Sequence, residues 1–198
     1  MHCFNLRETS EKTTELNILS DVTKFVEQLS GRAVTIIAPT QNQEKTLGFD
    51  EILEGLPSGR VIAFQFKRPY HMKRPRNCTR FKIDTQQLQW LLFNFHRRTA
   101  YYVFVPYPYN LDIINNRQTL LIDSISVDVH DIPRAQKISQ RTRTVRFNRQ
   151  SNLRTISLGL PANLEIVDPR KYEPVEKILN LKSLCERFAE GEIVCVHR

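Results

Sequence analysis

An α/β domain built on a mixed sheet is predicted by three features of the sequence. They are an amphipathic stretch at 11–29, short β-branched segments punctuated by Pro and Gly between 33 and 67, and a second helical stripe at 85–95 that leads into another strand. The chain has 198 residues, 40% apolar and 25% charged, enough material for one ordinary domain. No window approaches the roughly 18 uninterrupted apolar residues of a membrane span, and positions 1–12 are polar rather than a basic stretch followed by an apolar core. A soluble, cytoplasmic protein with no membrane association is expected.

Positions 11–29 place Leu19, Val22, Val26 and Leu29 at helical spacing, with Gly31 as a stop. At about 100° per residue, Glu15 falls near the middle of that stripe. An inward carboxylate is costly unless something pairs with it. Positions 33–38, ended by Pro39, read as a strand, 40–46 as a loop, 47–53 as a second extended segment, and 60–67 as a third after the Pro57-Ser58-Gly59 turn. The third begins apolar on both faces, as a central strand does. After a basic loop, Asp84 caps a helix over 85–95 in which Leu88, Leu91, Leu92 and Phe95 form a buried stripe. A strand at 101–105 stops at Pro106.

Farther on, 124–130 alternates Ile125, Val127 and Val129 with polar neighbours, the pattern of a strand with one wet face. Segments 144–147 and 153–160 flank 148–152 as a basic hairpin. Pro174 suits the start of a helix carrying Ile178, Leu181, Cys185 and Phe188, and 193–196 is a last short strand. No repeat, low-complexity tract or linker interrupts the chain, so 1–198 reads as a single domain. Its core spans 11–105; 106–198 is an extension of β-hairpin, helix and strand packed on it.

The 29 Lys and Arg against 21 Asp and Glu give a net charge of +8, so a polyanion is drawn to this surface and nucleic acid is the expected partner. Charge is also segregated. Positions 55–83 contain no acid and carry Arg68, Lys73, Arg74, Arg76 and Arg80; between 132 and 164 the only charges are basic and include Arg141, Arg143, Arg146 and Arg149. Cations that meet phosphates release condensed counterions, which gives salt-dependent affinity with little sequence preference. The four Cys never form a Cys-x-x-Cys pair and the five His are scattered, so reduced, packed thiols are expected rather than a zinc site or a Cys or His catalytic signature. Tyr101, Tyr102, Tyr107 and Tyr109 are read as strand packing and loop anchoring before base stacking.

The chemistry concentrates between Asp50 and Lys67. Strand side chains alternate with period two, so Gln65 and Lys67 project to one side near the end of the third strand. If the second and third segments pair as a hairpin, Asp50 comes beside them. An acid, an amide oxygen and an ammonium on one patch are costly as core packing, but they suit a divalent ion, since magnesium takes hard oxygen ligands and keeps several waters.

Gly48-Phe49-Asp50, a gap of fourteen residues, and then Gln65-Phe66-Lys67 at the end of an apolar strand, all preceded by a helix bearing Glu15, resemble the PD-(D/E)xK restriction-endonuclease-like superfamily. The likeness is greatest to the Gln-x-Lys branch found among Mrr-like and defence-associated nuclease domains, and it covers roughly 11–105. It implies a restriction-endonuclease-like αβββαβ core with a mixed sheet, to which the β-rich C-terminal extension and helix are added. It further implies Asp50 as the metal-binding carboxylate, Lys67 as the catalytic lysine and Gln65 at a position more often held by Asp or Glu. The Phe66 carbonyl would be a further ligand and Glu15 the helix glutamate. Glu11, one turn earlier, is the alternative to Glu15, and Gln87 lies on the flank of the second helix's stripe.

The implied function is Mg2+- or Mn2+-dependent hydrolysis of DNA, before RNA, in a defence or mobile-element setting, with a homodimer or a partner protein of a defence complex. Lys73, Arg74, Arg76 and Arg80 would clamp the backbone on one side and Arg141, Arg143, Arg146 and Arg149 on the other, with Arg68 alongside. The alternative is a catalytically inactive nucleic-acid-binding or protein-interaction module on the same scaffold.

Overall fold

A computed structural model describes residues 8–69, 78–132, 142–148, 156–159 and 179–191. It is a mixed α/β structure. Helix α1 (Glu11–Ser30) starts where Ser10 Oγ accepts from the Thr13 N–H at 2.9 Å, and it ends at Gly31, whose φ of 67° is a left-handed conformation that glycine adopts without strain. Its buried face carries Thr14, Glu15, Ile18, Leu19, Val22 and Val26. Leu29, assigned to that stripe from the sequence, is half exposed in the last turn.

The strands that follow are shorter than their apolar runs: β1 (Thr35–Ile37), β2 (Glu51–Glu54) and β3 (Ile62–Lys67). They form an antiparallel meander, with Ile36 opposite Leu53 and Ile52 opposite Ala63. Segment 40–46, expected as a loop, forms most of helix α2 (Gln41–Leu47). Thr40 and Gln43 build a reciprocal capping box that compensates for the absence of an apolar stripe. Gly48 ends α2 at φ 81°, and a Cβ there would stand 3.0 Å from the Gln87 carbonyl oxygen, so the chain entering Phe49 and Asp50 runs tight against the next helix.

The basic segment after β3, also expected as a loop, contains strand β4 (Cys78–Asp84). Asp84 then caps α3 (Thr85–Asn94), accepting from the Gln86 and Gln87 N–H groups at 2.8 and 3.0 Å. Strand β5 (Ala100–Phe104) lies parallel to β3, with Gln65 in register with Tyr102 and Lys67 with Phe104. Short helices α4 (Asn110–Asn115) and α5 (Leu120–Asp123) lead to β6 (Ile125–Asp128).

The alternation in β6 suggested a wet face, but all four residues are buried, because α6 (Leu181–Glu190) covers the other side. The polar residues are satisfied there. Ser126 Oγ donates to the Leu179 carbonyl at 3.1 Å, and Asp128 accepts from the Arg98 and His130 N–H groups. Strands β7 (Thr142–Asn148) and β8 (Ile156–Gly159) pair antiparallel as the hairpin reading expected, and β9 (Leu179–Asn180) pairs with β6. Helix α6 begins at Leu181 with Asn180 as its cap. Pro174 and the strand expected at 193–196 lie outside the described residues.

The main sheet has the order β1-β2-β3-β5-β6-β9, and a second has the order β4-β7-β8. One face of the main sheet packs Leu53, Phe64, Phe66 and Tyr101 against Ile18, Val22 and Val26 of α1 and Phe188 of α6. The other face packs Ala63, Tyr102 and Phe104 against Leu88 and Leu91 of α3 and Phe81 and Ile83 of β4. Cys185 is a free, buried thiol, as packing of the cysteines requires. Among the described residues no helix is long and apolar enough to cross a membrane.

Candidate active site

The polar residues left inside this frame gather where β3 ends. Chain entry at Gly48 brings Asp50 beside β3, anchored by its own N–H donating to the Phe64 carbonyl at 2.9 Å. Asp50 Oδ2 accepts from Gln65 Nε2 and from the Phe66 N–H, both at 2.7 Å. Gln65, 1% exposed, is held in turn by Gln87 of α3, whose Nε2 donates to Gln65 Oε1 at 2.7 Å. A chain of bonds therefore runs from α3 through Gln65 to Asp50. With its Oε1 turned to Gln87 and its Nε2 to Asp50, Gln65 orients the carboxylate rather than presenting an oxygen beside it. The Phe66 carbonyl accepts weakly from Gln65 Nε2 at 3.3 Å.

Helix α1 supplies the other wall. Lys67 Nζ lies 3.3 Å from Glu11 Oε1, so Glu11, the alternative to Glu15, is the partner of the lysine. Glu15 is 4% exposed, as its place on the apolar stripe predicted, and it has a companion that sequence reasoning missed. Glu51, the residue after Asp50, is 3% exposed and faces α1 on the same side of β2 as Leu53. Its signal was available, because period-two alternation puts position 51 on the face of an apolar residue at 53. Lys12 Nζ bridges the two acids, donating to Glu15 Oε1 and, at 3.2 Å, to Glu51 Oε1. Glu51 Oε2 is buried and has no hydrogen-bond partner.

Burial is the main reason Asp50 is pushed up to about 7. Lys67 and the Phe66 N–H oppose that rise, while Glu11 and Glu15 add to it. Glu15 is likewise raised to about 7, first by burial and then by its bond to Glu51, with Lys12 pulling the other way. Burial alone would lower Lys12, but its bonds to Glu15 and Glu51 outweigh that and raise it. Asp50 thus feels the charges of Lys67, Glu11 and Glu15.

Comparison with known protein families, curated proteins and solved structures finds no match.

Two desolvated carboxylates near neutrality and an orphaned carboxylate oxygen suit a hard cation. Among the described residues no group of three or more His, Cys, Asp or Glu forms a ready-made cage. The donor set fits an ion that takes one or two carboxylates and completes its shell with water, as magnesium does. Asp50 commits Oδ2 to its two protein donors, which makes Oδ1 its oxygen for such an ion.

The basic residues are less concentrated at the site. Arg68 donates to the Thr9 carbonyl at 3.1 Å and pairs with Glu8 at 3.4 Å, tying the strand end to the segment before α1. Arg80 on β4 stands opposite Arg146 on β7, and Arg143 opposite Ile83. Lys73, Arg74, Arg76, Arg141 and Arg149 lie outside the described residues. Tyr101, Tyr102 and Tyr107 are buried in the sheet and its margin, as packing residues.

Proposed function

We propose that this chain is a metal-dependent nuclease that hydrolyses DNA phosphodiester bonds with little intrinsic sequence preference, on a restriction-endonuclease-like core. The observation that carries this reading is the fixed Asp50 carboxylate, clamped at 2.7 Å by Gln65 and the Phe66 N–H, with the Lys67 ammonium, paired with Glu11, acting on it electrostatically. Supporting it is the connectivity: α1, an antiparallel meander β1-β2-β3 interrupted by α2, then β4, α3, and β5 parallel to β3, with Gln65 and Lys67 at the end of β3.

In this reading Asp50 and Glu15 hold a magnesium or manganese ion, which supplies Lewis-acid polarisation of the phosphate and acidifies a bound water. Lys67 orients the attacking water and neutralises charge growing on the phosphoryl oxygens. Glu11 fixes the ammonium, while Gln87 and Gln65 fix Asp50. Arg80 and Arg146, opposite each other on the small sheet, would contact the backbone without reading bases. A second copy or a partner protein of a defence system would supply the other strand's cut or the choice of target.

One observation favours the second reading, an inactive binding module: the Gln65 oxygen is occupied by Gln87, so the site has one charged group fewer than a carboxylate version. Cleavage decides. Plasmid, linear duplex, single-stranded DNA and RNA are each incubated with Mg2+ or Mn2+ and the native, Asp50→Ala or Lys67→Ala protein. Metal-dependent cutting of DNA by the native protein alone is expected; equal background from all three proteins would sink the nuclease reading.

A further inference from the structure

We infer that Lys12 Nζ occupies the place of a second cation, so that the chain takes one divalent ion where its carboxylates alone would take two. The inference rests on the nuclease reading only in treating Asp50 as the first ion's ligand. The second position adds Lys12 and Glu51 and shares Glu15 with the first.

Its geometry is that of an ion-bridged acid pair. Glu15 and Glu51 come from different elements, α1 and β2, and both are almost wholly buried, yet each turns an oxygen to the same ammonium. Two carboxylates brought out of water lose hydration and repel each other unless a shared proton or a cation offsets their charge. Lys12 supplies that charge, but incompletely. An ammonium carries one positive charge and three donors, and Glu51 Oε2, buried in the same cluster, is left with no partner. A divalent ion binds oxygens alone, doubles the charge and can take a carboxylate through both its oxygens.

The position is also open to exchange. The Lys12 side chain is 60% exposed, so its stem approaches from solvent and a hydrated ion can reach the pair by the same path once the ammonium is gone. Glu15 is the member shared between the two positions, since it faces Lys12 directly and acts electrostatically on Asp50. A lysine tethered at the second position gives a fixed charge there at any metal concentration, leaving only the Asp50 position dependent on ion supply.

The test counts Mn2+ ions on the full chain by equilibrium dialysis, with free Mn2+ read by electron paramagnetic resonance and folding checked by circular dichroism. Lys12→Met is expected to bind one ion more than the native protein, and Lys12→Gln, equally uncharged but polar, is expected to do the same. Lys12→Arg keeps the native count, and Lys12→Met combined with Glu51→Gln returns to it. Equal counts for the native protein and both uncharged variants overturn the inference, as does a native protein that already binds two. A native count of zero instead refutes Asp50 as a metal ligand, and the difference of one between Lys12→Met and native protein still decides the role of Lys12.

Discussion

Lys67 Nζ lies 3.3 Å from Glu11 Oε1, joining the end of β3 to the first residue of α1 across 56 positions of sequence. The pair is partly exposed, so its own contribution to stability is small, below about 1 kcal/mol. Its effect is on position: Glu11 holds the largely buried ammonium at the end of β3.

Lys67→Met should therefore leave the melting temperature nearly unchanged while lowering the rate of DNA cleavage by about 10²–10³-fold, the usual loss when one charge-stabilising group is removed from a reacting centre. Glu11→Gln should give a smaller loss in the same direction. Single-turnover cleavage alongside thermal melts separates the two quantities. A Lys67→Met protein that cuts at the native rate would rule out its role.

Stability should fall as the pH rises through neutrality. Asp50 and Glu15 are near 7 in the native state against 3.8 and 4.5 ordinarily, so between those values the folded chain holds protons that the unfolded chain has released. Their contribution is complete below the unfolded values and is lost as the pH climbs through about 7. The metal-free protein should melt lower at pH 8 than at pH 5. Asp50→Asn should flatten that dependence, and saturating Mn2+ should flatten it in the native protein. Calorimetry at several pH values checks this, and a melting temperature that climbs from pH 5 to pH 8 contradicts it.

The Gln87 side chain reaches the site through its bond to Gln65. Gln87→Leu removes the donor that fixes the Gln65 amide, so Asp50 loses its orientation though no ligand has changed. Outer partners of this kind are worth about 10–100-fold in metal affinity. Titration with Mn2+ should show that weakening with the fold intact, and an unchanged affinity would mean that Gln65 is held by packing alone.

Removing the Phe188 ring should cost about 3–5 kcal/mol, the range for a large aromatic truncated in a core. The ring lies 6.3 Å from Phe64 and 6.0 Å from Tyr101, centroid to centroid, so α6 is part of the core that supports β3. Urea unfolding of Phe188→Ala measures it. A loss under about 1 kcal/mol would show that α6 is only loosely attached.

Binding to duplex DNA should weaken linearly in log–log coordinates as salt is raised. Changing Arg80 and Arg146, which share one face of the small sheet, together to Ala should reduce that slope by about 1.8, at about 0.9 for each phosphate left without its cation. Fluorescence anisotropy across a salt series gives both slopes. If they coincide, β7 is not part of the nucleic-acid surface.

The burial of Glu15 and the contact between Asp50 and Gln65 were legible because two periodicities decide them. The helical repeat turns Glu15 inward, and strand alternation puts Gln65 toward Asp50. Glu51 follows the same strand rule, which puts it on the buried face of Leu53. Helix α2 was hidden because its stability comes from the Thr40 and Gln43 cap and not from an apolar stripe. Strand β4 was hidden because Arg80 and Lys82 mask the buried pair Phe81 and Ile83, which find their partners on α3 and β5. The dry second face of β6 depends on α6, more than fifty positions later in the chain, which no local pattern can announce.

Asp84 is both the last residue of β4 and the cap of α3, so no loop separates the small sheet from the helix that holds Gln87. Arg80 and Gln87 thus sit on two elements that meet at a single carboxylate. On the nuclease reading proposed above, a polyanion seated at Arg80 would bear directly on the start of the helix whose Gln87 holds the Gln65 amide.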